Sequence, residues 1–301
     1  MYQTPKRRFT YVSVSILIYY LFTLISTLII SSNAAHYLYI FRDLSAIFNL
    51  LYLSMLISML AAFLVIQLGF HKKLSLQLRW KPKEKICVQK ILLCFLFGFG
   101  MNIVFTLLSA LVSDTLSIDL TEQSLYMGND AFSMILCFLT VVIAAPIFEE
   151  YLFRGVVLMT LQRYGQWFAI AISSLLFALM HGSISQALGV FFLGFVISYI
   201  TVKSGSLLIG ILFHMANNLL AILPIFITSE LFTTIYSCCL LIVLVIGIVL
   251  FILFLIRFKK IKSALISPYD YPIKAFFKNW ASITLLIILS LSIIISFIQA
   301  I

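Results

Sequence analysis

An all-α bundle of about eight to nine membrane-crossing segments, with its N-terminus cytoplasmic, is the fold class that this sequence predicts, on three observations. Of its 301 residues 63% are apolar and 10% charged, against roughly 25% charged in a soluble domain. So few charges cannot coat a water-facing surface, which excludes a soluble enzyme. The apolar residues fall in runs of about 20, enough to cross a bilayer core as a helix. Lys and Arg gather in alternate connections between those runs, the asymmetry that marks cytoplasmic loops.

The segments follow in order. Lys6, Arg7 and Arg8 precede the first run, 11–31. Its 21 residues are long for a secretory signal, so it reads as a retained anchor. Segment two, 46–70, leads into a connection holding Lys72, Lys73, Arg79, Lys81, Lys83, Lys85 and Lys90. Segments three and four cover 91–112 and 131–164, with Arg163 at the inner end of the fourth. Segments five and six, 167–180 and 187–202, are short at 14 and 16 residues and are joined by small and polar residues, Gly182 to Gln186. Such a pair can be re-entrant, and irregular backbone at membrane depth is tolerated only beside protein or a water-filled cavity. Lys203 follows, then segments seven and eight, 206–228 and 231–256. Arg257, Lys259, Lys260, Lys262, Lys274 and Lys278 then precede segment nine, 280–300. The alternation places eighteen of twenty basic residues inside, leaving Arg42 outside and Arg154 in a helix. Outside it places Asp43, Asp114, Asp119, Glu122, Asp130 and Glu230.

The net charge of +10 needs no nucleic-acid partner, because anionic lipid of the inner leaflet accounts for it. Cys87, Cys94, Cys137, Cys238 and Cys239 have no CxxC spacing, and no disulfide framework is expected. The chain divides into a three-segment scaffold (1–130), a core (131–228) and a two-segment scaffold (229–301), and the scaffolds carry no intramembrane charge or histidine.

Chemistry concentrates in the core. Glu149, Glu150 and Arg154 lie among apolar residues, where a charge costs about 2.5 to 3.5 kcal/mol on insertion scales and needs a partner or a purpose. Glu150 and Arg154 stand four apart on one helix face and can pair; Glu149 points about 100° away and is free for chemistry. Pro146, just before it, removes a backbone bond and can open room for water. Taken alone the pair also fits a boundary role, snorkelling into head groups and locking helices.

Two histidines weigh against that role. Glu149 and His181 each lie 16 residues from Gly165, the turn between segments four and five, and so at equal depth on antiparallel helices. His214 lies nine residues beyond Gly205. Its level matches if the hairpin of segments four and five projects about 10 Å into the cytoplasm, as a 34-residue segment of roughly 50 Å permits. His214 and Asn218 share a face and can both donate to one point. Asn217 reads as a helix contact, and His36 and His71 as solvated bystanders.

A carboxylate base, an adjacent imidazole and a His and amide pair are the minimum set for activating water and holding a tetrahedral oxyanion. Glu149 would take a proton from water held with His181, while His214 and Asn218 would stabilise the oxyanion. Other intramembrane protease signatures are missing: no HExxH, no GxSG and no GxGD. Two chemistries stay open, a glutamate-based site with no required cofactor, and a zinc site built from Glu149, His181 and His214.

At these residues the chain resembles the CAAX-protease and bacteriocin-processing (CPBP, or Abi) family of intramembrane proteases, which includes the type II CAAX prenyl endopeptidases. The resemblance spans roughly residues 131–225. It rests on EExxxR as Glu149-Glu150 to Arg154, FxxxH as Phe177 to His181, and HxxxN as His214 to Asn218, in order and at similar spacing. It implies glutamate-activated water without an obligatory metal, with the first Glu and His serving the water and the second His and the Asn the oxyanion. It also implies that Phe177 is packing for its motif, that Glu150 and Arg154 support the site, and that the substrate is a membrane-associated peptide or protein. The expected location is the cytoplasmic membrane. Two other classes compete: a non-catalytic bacteriocin-immunity or partner-binding membrane protein, and a proton-coupled transporter, for which no further intramembrane acids are available to form a relay.

Overall fold

A computed structural model of the chain describes residues 4–74, 78–82, 87–117, 128, 130–265 and 271–300. Lys83, Lys85, Asp119 and Glu122 lie outside the described residues, as do the side chains of His71, Lys259, Lys260 and Lys262. The described residues form eleven helices and no strand: α1 (Pro5–Ser32), α2 (Ala34–Phe41), α3 (Leu44–Leu74), α4 (Val88–Leu116), α5 (Ala131–Tyr164), α6 (Gln166–Met180), α7 (Ile184–Ser204), α8 (Leu207–Phe226), α9 (Glu230–Leu265), α10 (Tyr271–Phe277) and α11 (Trp280–Ala300). Pro5 opens α1 at a position where its missing N–H costs nothing. Asp130 caps α5 by accepting from the Ser133 N–H at 2.9 Å and from its hydroxyl at 2.5 Å. These two bonds hold its carboxyl below the usual carboxylate range.

Eight helices are long and apolar enough to cross a membrane, and α6 is a shorter apolar helix of 15 residues. The chain is a multi-pass membrane protein. Segment six corrects the sequence reading: α7 has 21 residues, because the helix starts at Ile184, within the stretch read as a polar linker. Of the nine apolar segments read from the sequence, α6, about 22 Å long, is the one too short for a core of about 30 Å. All five cysteines are free.

Helix α5 forms the centre. Its residues Tyr151–Leu158 are all buried, against α1, α3, α6, α7 and α8. Helices α1 and α3 pair on one flank and α4, α7 and α9 on the other, with α11 against α1 and α6. Phe9, Val12 and Ile16 of α1 share one core with Leu152 and Phe153 of α5 and Phe177 of α6. The antiparallel course of α1 and α5 is fixed near one end by an edge-on contact between Phe9 and Tyr164, ring centroids 5.0 Å apart.

Two stretches of α5, Leu139–Ala144 and Tyr151–Leu158, are π-helical. The first follows from Pro146. With no N–H at that position, and a ring that crowds the preceding turn, the backbone widens just before it. Ala145 sends its N–H five residues back, to the Thr140 carbonyl. The Val141 carbonyl therefore has neither helical donor: Ala145 is committed elsewhere and Pro146 has no hydrogen.

Candidate active site

The Glu150–Arg154 pair forms as the four-residue spacing requires. Arg154 Nη1 donates to Glu150 Oε1 at 2.8 Å, and both side chains are fully buried. A buried pair is tolerated only when further contacts satisfy it. Arg154 Nη2 also donates to the Gly194 carbonyl on α7 at 3.1 Å, and the guanidinium carbon lies 4.5 Å from the centroid of the Phe177 ring. Gly194 is needed for this approach: a Cβ there would lie 2.9 Å from Phe177 Cδ1 and 3.3 Å from Arg154 Nη2.

His214, on α8, stands between the two glutamates. Its Nδ1 lies 2.9 Å from Glu150 Oε1, and its Nε2 lies 3.9 Å from Glu149 Oε2. Glu150 already receives Arg154 as an ionised carboxylate and can only accept, so the proton of that bond sits on His214 Nδ1. Glu150 thus fixes the ring orientation and turns Nε2 toward Glu149. Glu149 is the less enclosed of the pair, with 14% of its side chain exposed. The remaining Glu150 oxygen, Oε2, has no direct partner among the described residues, nor has the buried Thr201 hydroxyl. Both face the bare Cα of Gly210, where a Cβ would meet Thr201 Oγ1 at 2.7 Å and Glu150 Oε2 at 3.3 Å.

Phe177 holds the second motif to the first. Its ring lies edge-on to Phe153, His181 and His214, with centroids 5.1, 4.9 and 5.6 Å away. His181 ends α6, and its Nδ1 lies 2.9 Å from the Phe177 carbonyl. A carbonyl only accepts, so Nδ1 carries the proton, and Nε2 is the ring nitrogen left to face other groups.

Asn218, one turn beyond His214, donates through Nδ2 to the Val141 carbonyl at 2.9 Å. This is the carbonyl that Pro146 deprives of a donor, so a proline in one helix is answered by an amide from another. Asn217 is more than a helix contact: its Nδ2 donates to Asn218 Oδ1 at 3.2 Å. One of the two Asn218 amide protons is thus spent on the Val141 carbonyl, and the other is not used by these bonds.

The structure therefore brings Glu149, Glu150, Arg154 and His214 into one contact network, joins His181 to it through Phe177, and ties Asn218 to α5 one turn away. His36 is exposed on α2, its ring tilted at 53° to that of Tyr37 with centroids 6.1 Å apart. The Glu150–His214 bond, Gly194 and Gly210 were missed by sequence reasoning. Gly210 had a signal, since a glycine one turn before His214 shares its face. Among the described residues no group of three or more His, Cys, Asp or Glu side chains is placed to hold a metal ion. His214 Nδ1 is engaged by Glu150 and His181 Nδ1 by a carbonyl, which leaves Nε2 of each ring as the nitrogen a zinc ion would use.

Comparison with known proteins falls on this region. The chain is 38% identical over 96 residues to an uncharacterized 24.3 kDa protein of Escherichia coli, a match covering 30% of this chain and 44% of that relative. It thus spans less than half the length of that curated relative. No solved structure matches the chain. Residues 131–220, which hold every motif residue described above, match the Rce1-like family, described as type II CAAX prenyl endopeptidase Rce1-like, and this bears out the resemblance to CAAX proteases drawn from the three motifs.

Proposed function

We propose that this protein is an endopeptidase of the cytoplasmic membrane that hydrolyses a peptide bond in a membrane-associated peptide or protein, using water activated by Glu149. The observation that carries the reading is the 3.9 Å gap between Glu149 Oε2 and His214 Nε2. It is too long for a direct hydrogen bond and leaves room for an oxygen in contact with both. Glu149 takes a proton from that water as its oxygen bonds to the scissile carbonyl carbon. His214, braced by Glu150 and protonated at Nε2 as well, and the spare Asn218 proton donate to the oxyanion. The C–N bond then breaks, and Glu149 returns the proton to the leaving nitrogen. His181 Nε2 gives the water a third contact. No resident metal enters this scheme. The match to an endopeptidase family supports the reaction class, and the loop charges support an N-terminus and a site facing the cytoplasm.

The test compares peptide termini, by mass spectrometry, in membranes of cells producing the wild-type chain or Glu149→Gln. Termini that appear with the wild type alone are expected; identical sets sink the proposal. One competing reading keeps a structural observation on its side: Asn218 spends a proton on Val141, as a non-catalytic immunity or partner-binding protein using the cluster only to hold helices would require. In that case Glu149→Gln leaves termini and protection alike unchanged. Chelator separates the zinc variant, since only a metalloenzyme loses activity and recovers it on adding zinc.

A further inference from the structure

Outside the active site one charged side chain stands out for what it lacks. Arg8, in the first turn of α1, is 8% exposed, yet its guanidinium makes no hydrogen bond or ion pair among the described residues. Arg154, also buried, is paired with Glu150 and bonded to a carbonyl. A charge withdrawn from water without a counterion is costly, so an arginine held in this way needs an anion. Its stem is packed but its head is not shut in: all three nitrogens stay open to the surroundings, whereas Arg154 Nε is sealed.

Ring contacts on either side place this head. Phe9 meets Tyr164 at the end of α5 and Phe276 of α10, with centroids 5.0 and 5.6 Å away. Tyr11 meets Phe70 near the end of α3, at 5.5 Å. At about 100° per residue Arg8 falls between the faces of α1 that carry Phe9 and Tyr11, so its side chain enters the seam between α5 and α3. Each of those helices brings a cation to the same end: Lys73 of α3, whose ammonium lies 5.7 Å from the centroid of the Tyr11 ring, and Arg163 of α5, within electrostatic reach of Arg8. The described acids supply no partner. Asp43, Asp114, Asp130 and Glu230 lie at the opposite end of the bundle, and Glu149 and Glu150 belong to the active site; Glu84 and Asp270 lie outside the described residues.

The level is that of lipid head groups. Asn279 donates to the Lys6 carbonyl at 3.0 Å and to the Thr10 hydroxyl at 3.1 Å, on either side of Arg8. Trp280, next to it, is 61% exposed, as tryptophan is where a helix leaves the hydrocarbon. We propose that Arg8 is the base of an oxyanion site that takes a phosphate group in the seam between α3 and α5, with Lys73 and Arg163 as flanking charges. The planar fork of an arginine matches two phosphate oxygens. The phosphate is carried by an anionic phospholipid or is free in the solution on that side of the membrane. The site is separate from Glu149 and does not depend on the endopeptidase reading.

The test follows thermal unfolding of the full chain in neutral detergent for the wild type, Arg8→Met and Arg7→Met, the last removing the same charge from an exposed neighbour. Each is heated in inorganic phosphate against chloride of equal ionic strength, and in micelles carrying phosphatidylglycerol against phosphatidylcholine. With at least one phosphate source the melting temperature of the wild type and Arg7→Met is expected to rise by about 3 °C or more, and that of Arg8→Met by less than about 1 °C. A rise with inorganic phosphate supports the site and marks a soluble anion; a rise with phosphatidylglycerol alone supports it and marks a lipid. No rise in the wild type overturns the proposal. So does a rise that Arg8→Met shares or that Arg7→Met also loses, either of which marks a general attraction of the basic end for anions. If Arg8→Met does not fold, Arg8→Lys takes its place: it keeps the charge without the fork and should lose at least about half of the rise, and a full rise overturns the proposal.

Discussion

Helices α5 and α9 make opposite use of similar material. Comparing the most apolar stretch of each, α9 is the more hydrophobic, yet 6% of its stretch is buried against 33% of that of α5; elsewhere on α5, which also carries Glu149, Glu150 and Arg154, Tyr151–Leu158 are all buried. In water the more apolar helix would be the interior one. In lipid the order reverses, because a hydrocarbon surface costs nothing against hydrocarbon, while charged and hydroxyl-bearing side chains must turn toward one another. Burial in this protein therefore tracks polarity, and the chemistry lies where apolarity is interrupted.

The contrast can be tested by substitutions in order of expected effect. Glu149→Gln should cut turnover by about a hundred- to ten-thousandfold, with thermal unfolding in detergent unchanged, since a base is lost without a contact that holds the fold. Arg154→Met should destabilise by about 3 to 5 kcal/mol, because Glu150 is left as a buried charge without its cation; unfolding that matches wild type would show the centre of α5 to be as tolerant as the lipid face. Gly210→Ala should lose about 1 to 3 kcal/mol and lower kcat, as the new methyl presses on Thr201 and Glu150 and so on His214. Asn218→Ala should cost about 1 to 3 kcal/mol, and less in a Pro146→Ala background, where a backbone N–H can return to the helix; equal costs in both backgrounds break the link between proline and amide. On α9, Leu241→Ala, at a side chain 61% exposed, should change stability by less than about 0.5 kcal/mol.

At the smallest end lies the Asp130 cap. Its folded pKa is depressed, so its contribution is present above the ordinary aspartate value near 3.9 and is lost as pH falls through the lower folded value. The difference in melting temperature between wild type and Asp130→Ala should shrink as pH is taken down through that window.

Much of this arrangement was legible in the chain. The number of spans follows from runs of about 20 apolar residues, and the Glu150–Arg154 pair follows from one helical turn. What stayed hidden depends on how helices meet. A spacing rule acts within one helix, so it could place His214 with Asn218 but could not show that Glu150 on α5 takes His214 from α8. The start of α7 was hidden because Ser183 and Ser185 read as loop, whereas their hydroxyls bond each other at 2.6 Å across the helix start. The π turns have no periodic signature: the first appears only as the backbone's answer to Pro146, and nothing in the sequence marks the second.

The carboxamide of Asn218 is gripped at both ends, its oxygen by Asn217 and its nitrogen by Val141. Turning it over would set oxygen against oxygen and nitrogen against nitrogen, so it has one orientation. Because an amide is planar, the direction of its unspent hydrogen is then settled before any visitor arrives. A donor with no rotational freedom left to surrender loses no entropy when an anion forms beside it.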